Sequence, residues 1–304
     1  MSKRPIFVLG RNRSGTKWLS NILSNHPDVA SLCREGAGGM VEVNELSNPY
    51  LFGDLGVTEN KMAFLAFFEK TNYFKLSGLS VEELHKVQFD TLHSFFGSFM
   101  SMVASANGQL RWLQKSNTLA LPGLLASFPE ARFILIRREN IVENIQSHIA
   151  LHWLGKERIG PQKQLFRKVI SYVLHWKFLS HFKSNPRVIV TSYEELKRDT
   201  ELVVRDICEF VELDYVEGLC TRVYKPNSSF SGAIKKDEVL TVLDKLKINL
   251  YSKLCRMVPY SFYRLATSQI VNRFRSVKGR GLFQPNTFSI WSESKKSKSI
   301  LVKD

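Results

Sequence analysis

The chain has 304 residues, 44% of them hydrophobic, which suits one large core or a core with an appendage and excludes disorder throughout. Its net charge of +15 is uneven: from Val223 onward 16 Lys/Arg face 5 Asp/Glu, a field that attracts a nucleotide, acidic headgroups or an anionic glycan. Four cysteines without metal-ligand spacing, no apolar run long enough to span a bilayer and a first strand starting near Ile6 point to a cytoplasmic protein without a signal peptide.

Ile6 to Leu9 is an apolar run of the length a buried parallel strand needs. Gly10 permits a tight turn, and Arg13-Ser14-Gly15-Thr16 opens a helix whose inner face is Leu19, Ile22 and Leu23. Val29 to Cys33 reads as a second strand, leading into the Gly-rich stretch after Glu35. A helix is predicted around Lys61 to Lys70. Ser80 and Glu83 form a capping box expected to open one long helix, with Leu84, Val87, Leu92, Phe95, Phe96, Phe99 and Val103 inside, ending at Asn107-Gly108.

Leu110 to Gln114 is a strand ending in Lys115-Ser116-Asn117, and a short helix follows from Leu121 to Ser127. Arg132 to Ile136 is the next strand; Asn140 and Glu143 then start a helix carrying Ser147 to about Trp153. Helix is expected over Leu165 to Phe182, strand over Val188 to Val190, and helix over Leu202 to Val211. Alternating strands and helices predict an α/β fold with a parallel sheet flanked by helices on both faces. Beyond about Gly232 the character becomes basic and mainly helical, with leucines at helical spacing from Leu240 to Leu254 and a flexible tail from about Ser292. The organisation read here is a core over 1–232 and an extension over 233–304.

A strand, a Gly-bearing loop and a helix start place free N–H groups at one point, which suits a phosphate or sulfate group. The spacing from Gly10 to Gly15 fits a nucleotide triphosphatase loop, but Thr16 follows Gly15 and the lysine arrives one place late, at Lys17. A helix turns about 100° per residue, so that ammonium points elsewhere.

Arg13-Ser14-Gly15-Thr16-Lys17-Trp18-Leu19 instead resembles the P-loop-like 5′-phosphosulfate loop of sulfotransferases that use 3′-phosphoadenosine 5′-phosphosulfate (PAPS). Lys17 departs from the pattern, standing where a second Thr is usual. Three further blocks resemble the family in order: Lys115-Ser116-Asn117, Arg138 through Ser147, and Tyr193-Glu194-Glu195-Leu196. Nine positions separate Arg138 from Ser147 where eight are usual, a difference that one extra loop residue absorbs.

The resemblance implies PAPS as donor, adenosine 3′,5′-bisphosphate (PAP) as product, and no metal. It implies that Arg13, with Ser14, Gly15, Thr16, Lys17 and Trp18, holds the 5′-phosphate, while Arg138 and Ser147 hold the 3′-phosphate. Lys115 and Arg13 would stabilise charge on the transferring group. Glu35 follows His26-Pro27-Asp28-Val29 and Cys33 as the catalytic Glu does in the tyrosylprotein branch, and is the expected general base, with Glu42, Glu45 and then His148 in reserve. Val277-Lys278-Gly279-Arg280-Gly281 is similar to a basic loop that closes on the 3′-phosphate. The acceptor is expected to be a hydroxyl of a carbohydrate or a lipid, with an anionic membrane as a peripheral partner and no nucleic acid. Two other readings stay open: a basic anion- or membrane-binding protein with a degenerate loop, and a nucleotide kinase.

Overall fold

The computed structural model describes residues 4–34, 39–48, 51–152, 161–220 and 239–263. In chain order these form β1 (Arg4–Gly10), α1 (Thr16–Leu23), β2 (Val29–Ala30), β3 (Cys33–Arg34), β4 (Gly39–Met40), α2 (Thr58–Phe68), α3 (Asn72–Lys75), α4 (Val81–His85) and α5 (Leu92–Ala106). Then come β5 (Arg111–Ser116), α6 (Leu121–Ser127), β6 (Arg132–Arg137), α7 (Ile141–His152), α8 (Pro161–Phe182), β7 (Val188–Ser192), α9 (Tyr193–Arg198), α10 (Thr200–Phe210) and α11 (Val242–Met257). Five strands make one sheet in the order β2-β5-β1-β6-β7, every neighbouring pair parallel.

The unbroken apolar run of β1 is explained by its place at the sheet's centre. Ile6 and Val8 pack with Leu19, Ile22 and Ile207 on one face, whereas Phe7 and Leu9 join Phe95, Trp112 and Phe133 on the other. Strand alternation thus feeds two cores, and both faces are covered by helices. The aromatic stripe of α5 lies wholly within the second core, with Phe95, Phe96 and Phe99 fully buried.

Two expected elements differ. Ser80 and Glu83 do form a capping box, but it opens only the short α4; the chain then leaves helix, and Thr91 with Ser94 makes a second box that starts α5. Ser94 Oγ accepts from the amides of Asp90 and Thr91, so local side-chain bonds interrupt what the apolar pattern suggests is continuous. The strand expected over Val29 to Cys33 is also divided. Val29–Ala30 pairs with β5, while Cys33–Arg34 pairs antiparallel with Gly39–Met40.

At the starts of the three central strands, Arg4, Arg111 and Arg132 converge on the Glu212 carboxylate at 2.5, 3.1 and 2.7 Å. This clasp is at the end of the sheet opposite the loop after β1. A third apolar cluster joins α7, α8 and α11 through Ile145, Val169, Val173, Ile248 and Cys255. The expected domain boundary near residue 232, the basic loop at 277–281 and the tail from about 292 lie outside the described residues.

Candidate active site

The loop after β1 is shaped by its backbone. Gly10 has no room for a side chain: a Cβ there would lie 2.7 Å from the Ile136 carbonyl oxygen and 2.4 Å from Thr16 Cγ2. Arg13 and Gly15 both take left-handed conformations, with φ of 69° and 93°. Gly15 caps α1 with no side-chain acceptor, so the helix presents first-turn N–H groups to whatever sits in front of it. Ser14 and Thr16 are buried within the loop, and the Ser14 amide is spent on the Arg11 carbonyl at 3.1 Å.

The ends of β5 and β6 bring further cations to the same edge. Lys115, at the end of β5, is buried with its Nζ 3.0 Å from Glu42 Oε2. Arg137, the last residue of β6, turns to Glu139 at 3.1 Å, while Arg138, just past its end, lies over the Tyr193 ring with its guanidinium carbon 4.6 Å from the centroid. Arg138 reaches Glu143 Oε2 at 2.5 Å, yet its Nε is buried without a hydrogen bond among the described residues. Arg13 Nε donates to Ser147 Oγ at 3.0 Å, so the loop and α7 meet directly.

Tyr193 is the shared floor. It packs against Gly15, where a Cβ would come within 2.9 Å of its ring, and meets Trp18 edge-on at 5.9 Å. Glu194, the next residue, accepts from the Glu139 and Asn140 amides at the start of α7. The Tyr-Glu-Glu-Leu block thus supports both the loop and Arg138. Arg11 lies behind the loop, where burial pulls its guanidinium down to about 10; it donates to Asn144 Oδ1 and to the Lys168 carbonyl. Only its place beside Asn12 and Arg13 in the sequence signals its position.

The electrostatics are those of a site built for an anion. Burial, then Arg138, lowers the Arg13 pKa; burial, then Lys115 and Arg13, lowers that of Lys17. Each cation is disfavoured by desolvation and by the others. The opposite charge of a phosphate or sulfate between them would offset both effects. Among the expected residues, Arg13, Lys17, Lys115, Arg138 and Ser147 are therefore gathered at the C-terminal edge of β1, β5 and β6, with Trp18 alongside. Glu35 lies outside the described residues. Glu42 is placed beside Lys115, a pairing not visible in the sequence because the two are joined only when the segment after β4 bridges to β5. His26 is a structural tie, with Nε2 2.8 Å from the Asp214 carbonyl oxygen and Nδ1 accepting from the Asp28 amide.

Residues 5–217 match the model of the "Sulfotransferase family". The chain belongs to that family. The match covers β1 through α10 and so contains every element of the described site. Among solved structures, this sulfotransferase is similar to STF1 from Mycobacterium tuberculosis H37Rv, at 15% identity and a TM-score of 0.48, covering 79% of this chain and 76% of that one. It is also similar to the sulfotransferase domain of the Synechococcus PCC 7002 olefin synthase, at 19% identity and 0.49, covering 84% and 96%. A third is mouse sulfotransferase SULT7A1 complexed with PAP, at 14% identity and 0.41, covering 72% and 62%. No curated protein sequence matches the chain. No helix among the described residues is long and apolar enough to cross a membrane.

Proposed function

We propose that this sulfotransferase moves a sulfuryl group from PAPS to a hydroxyl of a carbohydrate or lipid in the cytoplasm. The observation that carries the reading is the convergence of Arg13, Lys17, Lys115 and Arg138 on one strand edge, with Ser147 bonded to Arg13. A donor with phosphate at both the 5′ and 3′ positions matches two adjoining cationic subsites, and the buried Arg138 Nε, 3.9 Å from Glu194 Oε1 and without a hydrogen bond among the described residues, suits the second.

PAPS supplies the sulfuryl group, whose sulfur bonds to the acceptor oxygen as its bond to the 5′-phosphate oxygen breaks, releasing PAP. Arg13, Lys17 and the first amides of α1 hold the charge that collects on the leaving phosphate. Lys115, paired with Glu42 at 3.0 Å, would donate a proton or hydrogen bond to the bridging oxygen. A carboxylate takes the acceptor's proton, and Glu35 is the first choice for that role. Glu42 is the alternative, since it already stands at the site's edge. Tyr172 is unsuited to acceptor binding, being buried with its hydroxyl donating to the Arg138 carbonyl. Phe166 is half-exposed and remains available.

The test is transfer of radiolabelled sulfate from PAPS to separate glycan and lipid extracts, with the labelled product identified. Label in neither, with PAP failing to raise the melting temperature, overturns the reading. Stabilisation by ATP with magnesium instead would favour the kinase alternative.

A further inference from the structure

Helix α11 is turned inside out. Its packed side, against α8 and α7, is built from Asp244, Ile248, Ser252 and Cys255, all buried. Small Ser252 and Cys255 let the helix sit close to α8, and Asp244 is occupied by its bonds to the Thr241 amide and hydroxyl. The leucine repeat that marks this stretch in the sequence lines the other side. Leu243, Leu246, Leu250, Leu254 and Met257 are 55–80% exposed. At about 100° per residue these five fall within an arc of about 80°.

The charges around that arc all have one sign. Lys253 and Lys247 lie about 20° beyond its two edges, by the same helical spacing. Lys245 and Arg256 lie farther round, beside the packed side, with Arg256 over the Trp176 ring of α8 at 5.2 Å, and the helix's one acid is the buried Asp244. An apolar stripe bordered by lysines is the pattern of a helix lying in a membrane interface, with apolar side chains among the acyl chains and ammonium groups at the phosphates. A second copy of the same face would bring lysines against lysines, so charge complementarity favours an anionic surface over self-association.

We propose that α11 docks the protein on anionic lipid bilayers through Leu243, Leu246, Leu250, Leu254 and Met257, flanked by Lys247 and Lys253. The docking bears on the reaction through α8, which packs on α11 and whose Tyr172 hydroxyl holds the Arg138 carbonyl. One helix layer therefore separates the bilayer face from the cofactor site. The proposal does not depend on the donor being PAPS.

The experiment is vesicle flotation of the full chain with pure phosphatidylcholine and with phosphatidylcholine containing phosphatidylglycerol. Binding is expected to the anionic vesicles alone, with loss at high salt. Leu246→Ser with Leu250→Ser, and separately Lys247→Gln with Lys253→Gln, should each weaken it on the order of tenfold. All four side chains are at the surface of α11, so the melting temperature and PAP affinity should not change. Vesicle binding unaltered by both pairs would overturn the proposal, as would a dimer in sedimentation that the leucine pair dissolves, which would assign the face to a second copy. Absence of flotation by the folded full chain would overturn it as well.

Discussion

Arg13 and Ser147 are joined by a 3.0 Å hydrogen bond between the loop after β1 and the middle of α7. The two subsites assigned to opposite ends of one nucleotide thus share a wall. A ligand filling both would come between or beside these two side chains, a geometry that would couple the two ends.

That contact sharpens the assignment of the 3′ end. Arg138→Ala is expected to weaken PAP by about 1.5–3 kcal/mol, the value of a charge-assisted bond to phosphate. Adenosine 5′-phosphate should be nearly unaffected, whereas Arg13→Ala should weaken both. Calorimetry with the two ligands decides, and equal losses for Arg138→Ala would remove it from the 3′ site.

The general base is tested by two isosteric changes. Glu35→Gln should cut turnover by roughly 10²–10⁴ with PAPS affinity unchanged. Glu42→Gln should leave Lys115 without its carboxylate partner, tightening PAP binding while changing turnover less than about tenfold. A large turnover loss in Glu42→Gln alone would transfer the role to Glu42.

Gly10 allows a prediction independent of any ligand. A methyl group there meets the Ile136 carbonyl in the centre of the sheet, so Gly10→Ala should destabilise the fold by about 1–3 kcal/mol. Chemical denaturation measures this directly. Wild-type stability in the variant would mean that β1 and β6 can separate at no cost.

Lys17 gives the expected pH dependence. Its pKa in the free protein is lowered by burial and by Lys115 and Arg13, so its charge is lost at a lower pH than for an ordinary lysine. A bound phosphate favours the charged form and raises that pKa, so binding takes up protons between the free and bound values. PAP affinity should fall as pH climbs through the free-protein value. Calorimetry in buffers of different ionisation enthalpy should show the uptake in the wild type and not in Lys17→Met.

Much of this was legible in the sequence because it is local. The apolar run at Ile6–Leu9, the glycines at 10 and 15 and the Asn140 start of α7 each specify their own backbone. Arg137 and Arg138 could be told apart only by strand alternation, and the structure sends them to Glu139 and Tyr193 respectively. Contacts made across the sheet left no local trace: Glu42 against Lys115, Arg11 against Asn144, and Tyr193 beneath both Gly15 and Arg138. The leucine repeat of α11 correctly predicted a helix, but periodicity does not say which side of a helix is packed. The interruption at Thr91 was hidden because Val87 and Phe89 stay buried although the chain has left helix there.

The left-handed backbone at Arg13 sets stability and activity against each other at a single position. An arginine held at φ 69° costs roughly 1–2 kcal/mol that a glycine would not. Glycine at position 13 would relieve that cost and lose the hydrogen bond to Ser147, and on the proposed role of Arg13 it would also weaken the grip on the donor. If the proposed role holds, retention of arginine at a left-handed position in evolved or engineered descendants would mark a chain still selected for turnover.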